Sequence, residues 1–368
     1  MNSLPSYITL LISSYCTQIN TMSNHKKAVL LVNLGSPDST RISDVRRYLG
    51  EFLMDKYVLD LPAFFRWILV YCLIMPFRPK KTAEAYQSIW WDEGSPLMVL
   101  SKRLLKLVQD KVGIPVELGM RYGNPSIKYA IDKLCSENSS LEEVLLFPLY
   151  PHYAMASTKT VIEKTKSLMA QYYPNITLKY IESFYDYPSY ILSLSNSISE
   201  YKDKDVFDYV LFSYHGIPER HVKKTDPTKL HCKVASDCCS VGSDAHRYCY
   251  SHHVYKTTEL VVEKLKLAKD AYSVSFQSRL GNDPWLLPFT DATIEALAKK
   301  GVKRLAVVCP AFVSDCLETL EEMGEEGKEI FLENGGESFT LIPCLNERVD
   351  WIHSMVDLIG DDTKHLVV

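Results

Sequence analysis

The run FSYHGIPER, Phe212 to Arg220, delivers one titratable side chain, His215, from the end of an apolar strand onto a glycine-containing turn. An imidazole in that position can accept a proton near neutral pH or bind a borderline metal ion. Further along, LAVVCPAF empties into VSDCLETLEEM and brings Asp315 and Glu318 to a helix start, three positions apart. The helix dipole favours carboxylates there, so the pair can carry protons or guide a cation, although an aspartate in such a place is often only an N-cap. Between these segments, Cys232, Cys238, Cys239 and Cys249 form a C-x5-C-C-x9-C pattern inside a long polar stretch. The pattern lacks the paired C-x2-C knuckles of common zinc sites, yet four thiolates suffice for an iron–sulfur cluster or a zinc ion. His231, His246, His252 and His253 stand nearby as alternative ligands.

The chain of 368 residues, 46% hydrophobic and 23% charged, is long enough for two packed domains and has no compositional mark of disorder. With 41 basic against 45 acidic residues and no Lys/Arg block, it offers no electrostatic footprint for nucleic acid. Six cysteines (Cys16, Cys72, Cys135, Cys309, Cys316, Cys344) are scattered, the usage of reduced thiols in a cytosolic protein. Residues 1–25 lack a basic n-region and a clear cleavage site, so they read as an extension, disordered or preceding a true start at Met22, rather than as a signal peptide. LPAFFRWILVYCLIM, 61–75, is too short to span a bilayer and contains Arg66. It reads either as a buried core helix or as an exposed apolar lip, with Arg66, Arg78, Lys80 and Lys81 near lipid head groups.

These chemistry-bearing residues need elements to hold them. Eight short apolar runs, at 28–32, 116–121, 144–149, 178–183, 209–213, 272–276, 305–308 and 340–343, predict buried strands. Helical periodicity over 96–112, 158–172, 256–267, 290–299 and 314–332 lies between most of them, and that alternation predicts parallel sheets. Four strands fall on each side of residue 190, and LLFPLYPHYAMASTKT and LAVVCPAFVSDCLETL share one pattern, so the halves read as a duplicated α/β protein. No G-x-G-x-x-G follows the first strand, and no Walker-type loop or H-E-x-x-H occurs anywhere. The ligand site of such a fold is the cleft between the lobes at the carboxyl ends of the strands, where FSYHGIP, SFQSR, PAFVSD and GMRYG terminate.

FSYHGIPER, FVSDCLETLEEM, FQSRLGNDPWL and GMRYGNP resemble the corresponding segments of the protoporphyrin ferrochelatases, which insert ferrous iron into a porphyrin to make haem. The likeness runs from Lys26 to Ile359. It implies a class II chelatase-like α/β fold of two similar doubly wound lobes with parallel four-stranded sheets and the active site between them. The lobes are expected at 26–190 and 191–346, with a cysteine insert at 221–255 and a C-terminal helix within 347–368 packing back on the first lobe. The resemblance makes His215 the histidine that takes pyrrole protons and Glu318 the essential glutamate, the two meeting the incoming iron. The position two before that glutamate is histidine in many members and Cys316 here, so a metal relay through it is not carried over. Porphyrin contacts fall on Leu34, Arg121, Tyr122, Gln277, Trp285 and Phe312, and propionate anchors on Arg78, Lys81, Tyr86 and Ser95.

Some bacterial ferrochelatases carry an internal four-cysteine segment of this kind, which implies a 2Fe-2S cluster on Cys232, Cys238, Cys239 and Cys249, with zinc as the alternative. Leu34 in NLGSP stands where the coproporphyrin branch typically has a tyrosine, which implies protoporphyrin IX, with ferrous iron, as substrate. A coproporphyrin ferrochelatase and a non-catalytic porphyrin or haem carrier are the alternative functions. The implied location is cytoplasmic, peripheral on the inner face of the membrane, without a nucleic-acid partner.

Overall fold

The computed structural model describes residues 25–204, 207–234, 236–281 and 283–368, so the expected extension falls, His25 apart, outside the described residues. The Val/Leu/Ile-rich runs at 27–33, 116–120, 143–148, 209–215 and 304–308 are buried on both faces, as strands covered by helices on each side must be, those at 177–181, 272–277 and 338–341 less so, and together they assemble two sheets. Strands β1 (Lys27–Asn33), β2 (Val116–Met120), β3 (Glu143–Pro148) and β4 (Thr177–Ile181) run parallel in the order β2-β1-β3-β4. Strands β5 (Tyr209–His215), β6 (Tyr272–Gln277), β7 (Arg304–Val308) and β8 (Ser338–Leu341) repeat that order as β6-β5-β7-β8. The shared strand order makes the duplication visible in the fold itself.

The first sheet has five strands rather than the expected four, because β9 (His365–Val367) returns antiparallel to β4 at its edge. Just before it, the helix Val349–Gly360 packs on Pro188–Lys202 and Pro96–Val112. Fully buried Trp351 on that helix stacks on Phe184 at 5.7 Å and meets Tyr190 edge-on at 6.0 Å. One apolar core runs continuously from Val29 and Phe147 in the first lobe to Phe212 and Val308 in the second. The helix Val349–Gly360 and the core thereby tie the two lobes together.

Two helices differ from expectation. The segment 314–332 is not one helix: it breaks into Leu317–Leu320, a π-helical turn at Glu322–Gly327, and Lys328–Glu333. Like charges four apart, Glu321 with Glu325 and Glu322 with Glu326, oppose a regular α-turn there. The polar insert is also shorter than 221–255, since Glu219–Thr225 is helical and the next helix starts at Tyr250, not near Lys256.

Candidate active site

His215 is the last residue of β5, paired in register with Gln277 at the end of β6. The turn after it is closely fixed. The Gly216 amide donates to the Gln277 carbonyl at 2.7 Å, and Leu286 N–H to the Ile217 carbonyl at 3.1 Å. Gly216 is required by contact, because a Cβ there would lie 2.8 Å from the Gln277 oxygen. The His215 Nδ1 lies 2.6 Å from the Gly216 carbonyl, an oxygen that can only accept, so Nδ1 carries a proton and donates it there. The turn thus fixes the ring through Nδ1 and leaves Nε2 as the nitrogen not used by the turn.

A pocket lies in the cleft, lined from the first lobe by Asn33–Ser36, Tyr48, Tyr86, Ile89, Ser95–Leu97, Leu149 and Tyr150. The second lobe closes it with Ala311–Ser314 and Cys316–Glu318. His215 flanks the pocket through Phe312, with ring centroids 6.2 Å apart. Behind Glu318 lies Glu322, whose carboxyl is pushed up by burial while Ser278 and nearby His215 pull the other way. Next to it, burial and the neighbouring Glu326, Glu322 and Glu325 raise Glu321 to about 7. An imidazole beside an apolar slot that carries a glutamate on its wall can move protons at a bound flat ligand and guide a cation.

The family model for ferrochelatase matches residues 26–363. The chain belongs to the ferrochelatase family. It is 47% identical over 335 residues to a ferrochelatase of Stutzerimonas stutzeri, covering 90% of this chain and 97% of that one. A ferrochelatase of Opitutus terrae is 48% identical over 336 residues, covering 90% and 96%. Among solved structures, SirB from Bacillus subtilis with Fe3+ superposes with a TM-score of 0.51 at 11% identity, covering 92% of this chain and 98% of that one. A cobalt complex of the sirohydrochlorin chelatase SirB from Bacillus subtilis subspecies spizizenii also scores 0.51, at 12% identity, covering 92% and 97%. At those identities the likeness is one of fold, and the fold is that of the chelatases.

Of the residues the ferrochelatase resemblance selects, Leu34, Tyr86, Ser95, Phe312 and Glu318 line the pocket. Ser95 also caps its helix through Met98 N–H at 3.3 Å and shares a 2.5 Å hydrogen bond with Ser36. Arg78 and Lys81 are exposed on the first turn of the helix Arg78–Ile89. Trp285 is half-buried and pairs with Pro218 beside the His215 turn. Gln277 is buried and fully engaged: Ser213 donates to its oxygen at 2.7 Å, and its amide donates to the Glu318 carbonyl at 2.7 Å. It organises the site instead of reaching into it.

Arg121 and Tyr122 lie outside the pocket. The Arg121 guanidinium is held by Asp55, to which the Tyr122 hydroxyl donates at 2.9 Å and Thr160 at 2.5 Å. Asp315 likewise points away from the cleft: Asn346 donates to it at 2.6 Å and Thr319 at 2.9 Å, and it is Cys316 that caps the helix. Tyr48, Ser36, Tyr150 and Cys316 line the pocket without having been singled out as porphyrin contacts. Burial drives the Tyr48 and Tyr86 phenols far above their usual range, leaving both as neutral donors.

Asp60 of the first lobe receives Arg220 Nε at 2.8 Å and Lys224, both from the helix four residues past His215, and Arg220 also binds Asp283. Against the cost of burial, the Lys224 and Arg220 donors lower Asp60 to about 2. Next to this clasp, Phe64, Phe65, Trp67, Tyr71, Leu73 and Phe77 are exposed, while Val70 and Met75 turn inward. Arg66, expected near head groups, is instead buried on the carbonyls of Leu59 and Leu61 at 3.1 and 2.9 Å. Among the described residues, no helix is long and apolar enough to cross a membrane.

The insert brings its thiols together. Cys232, Cys238 and Cys249 are buried, and the Cys249 sulfur takes hydrogen bonds from the Cys239 and Cys232 thiols. The Cys239 bond, helped by the His252 amide and opposed by burial, lowers Cys249 to about 6. Cys239 also contacts Cys238, and burial pushes the Cys232 thiol up. Among the described residues, no three His, Cys, Asp or Glu side chains stand in metal-holding geometry. The imidazoles face backbone rather than sulfur: His231 and His246 bond the Cys238 carbonyl at 2.7 and 2.9 Å, and His252 the Cys239 carbonyl at 2.8 Å. His253 is used on both nitrogens, accepting from Tyr153 N–H and bonding the His246 carbonyl. By donor type alone, four thiols are the ligand set of an iron–sulfur or zinc site, but as they stand they are not arranged around one.

Proposed function

We propose that the chain inserts ferrous iron into protoporphyrin IX to form protohaem, the terminal step of haem synthesis. The reaction exchanges two pyrrole protons for one ferrous ion, with no change in oxidation state. Nε2 of His215 takes a pyrrole proton, since Nδ1 is already held by the Gly216 carbonyl. Glu318, on the pocket wall, meets the cation or the second proton, and Glu322 and Glu321 behind it pass charge outward. Leu34 and Phe312, with Trp285 beside the His215 turn, form the apolar slot, and Tyr86 and Ser95, with Arg78 and Lys81 at the entrance, anchor two propionates. Arg121, Tyr122, Gln277 and Asp315 serve by holding the walls. An apolar cleft pocket with Glu318 on its wall and His215 beside it, behind Phe312, carries this reading.

Cys232, Cys238, Cys239 and Cys249 would hold a 2Fe-2S cluster, whose thiolate–iron bonds would order an insert too polar to fold on its own apolar surface. The exposed aromatic lip beside basic Arg78, Lys80 and Lys81 supports peripheral contact with the inner face of the membrane, from which an apolar substrate can partition. Competition between porphyrins tests the substrate assignment. Protoporphyrin should show the higher kcat/KM, because a half-buried Leu34 wall has no partner for extra carboxylates. A higher kcat/KM for coproporphyrin would remove the assignment, and tight porphyrin binding without turnover would make the protein a carrier.

A further inference from the structure

The thiol quartet and the His215 turn are one residue and one hydrogen bond apart. Tyr250 follows Cys249 directly, opens the helix Tyr250–Leu265, is only 4% exposed, and donates its hydroxyl to the His215 carbonyl at 2.8 Å. The same peptide unit is held from its other side, where the Gly216 amide donates to the Gln277 carbonyl at 2.7 Å. About two turns further along the helix, Thr258 shares a 2.8 Å hydrogen bond with the hydroxyl of Tyr214, the residue before His215. This single helix therefore anchors both residues at the tip of β5. The Tyr250 ring cannot drift alone, since buried His152 packs edge-on against it at 6.1 Å and against Tyr214 at 5.3 Å. Cys249 is the residue just outside the first turn, and its carbonyl accepts the His253 amide at 3.0 Å, so a shift of Cys249 moves the start of the helix with it.

We propose that Tyr250 is a positioning residue that couples the four-cysteine site to His215: bonds made or lost at the thiols set how firmly the His215–Gly216 peptide is held. The coupling rests on the reading that the quartet carries a cluster, whereas the positioning contact stands without it. Tyr250→Phe keeps the ring and removes only the donor.

The test is hydrogen–deuterium exchange on the full chain, reconstituted anaerobically with iron and sulfide, across the peptide 212–217. Loss of one buried hydrogen bond should speed exchange at the Gly216 amide about tenfold in Tyr250→Phe, with strand 27–33 unchanged. The kcat should fall about fivefold at constant porphyrin KM, as expected when placement of the base and not binding is disturbed. Stripping the wild type with a chelator under reducing conditions should produce the same local rise, and stripping Tyr250→Phe should add nothing. Exchange over 212–217 in Tyr250→Phe equal to wild type overturns the proposal, as does a rise on stripping that is as large in the variant as in the wild type. Iron and sulfide analysis of the same samples shows separately whether a cluster is present; if none is, the comparison of unstripped variant and wild type still decides the tyrosine. Should Tyr250→Phe fail to fold, loaded and stripped wild type decide the matter, and no local change at 212–217 overturns the coupling.

Discussion

Gly216→Ala places a methyl group where the structure has no room for one. The added Cβ would stand 2.8 Å from the Gln277 carbonyl oxygen and 3.3 Å from Cε3 of Trp285. That oxygen cannot turn aside, because it accepts the Gly216 amide and belongs to a strand in register with β5. The turn must therefore lift off β6 by several tenths of an ångström. Overpacking of this kind costs ~1–3 kcal/mol, and each kcal/mol lowers the Tm of a domain of this size by about 2–4 °C. The effect on rate is larger. A misplacement on the order of 1 Å costs about a hundredfold, so half of that should lower kcat about tenfold. The assay pairs a circular dichroism melt with steady-state insertion of ferrous iron into protoporphyrin. Because Leu34, Tyr86 and Ser95 are untouched, the porphyrin KM should stay within about twofold of wild type. A folded Gly216→Ala protein with wild-type kcat would refute the argument that the β5–β6 turn places His215.

Asp315→Asn should cost ~1–3 kcal/mol of stability, since an amide cannot accept from both Asn346 and Thr319, while most turnover survives; Glu318→Gln should do the reverse, and melts beside kcat separate the two. The Asp60 clasp has a pH signature: its folded pKa, about 2, lies below the ordinary 3.8, so its stabilisation is present above pH 3.8 and disappears as the pH falls toward 2. Asp60→Asn should accordingly flatten the fall in Tm over that window, and parallel wild-type and variant curves would count against the clasp. Removing a charged propionate anchor, by Arg78→Ala or Lys81→Ala, should raise the porphyrin KM about tenfold at constant kcat, which initial-rate measurements read directly. Phe64→Ser combined with Phe77→Ser should reduce sedimentation with anionic lipid vesicles, leaving insertion into detergent-solubilised porphyrin unchanged.

His215 was legible because it sits where an apolar strand hands over to a turn, and Glu318 because it falls at a helix start that follows such a strand, places that one-dimensional patterning marks. The repeated strand order follows from the same patterning. β9 was not legible, since three residues give no alternation to read. Arg121 looked available to substrate, but its partner Asp55 lies 66 positions away and nothing local announces the pair. Tyr48 reaches the pocket from a helix whose apolar spacing reads as ordinary core. Within the insert, Tyr250, His252 and His253 made the first turns of a helix look like loop, because their polar atoms are satisfied by tertiary contacts that spacing does not reveal. Asp315 is the reverse case: its position beside a helix start is as expected, but Asn346, from a distant loop, claims the carboxylate.

The most direct test of the central claim is anaerobic insertion of ferrous iron into protoporphyrin by the wild type and by His215→Ala, followed by loss of porphyrin fluorescence and the visible spectrum of the product. The wild type should form protohaem, and the variant should bind porphyrin with similar affinity while losing at least about a hundredfold in kcat, the contribution of one well-placed general base. Absence of haem formation by the wild type, or near-normal turnover by His215→Ala, would contradict the account.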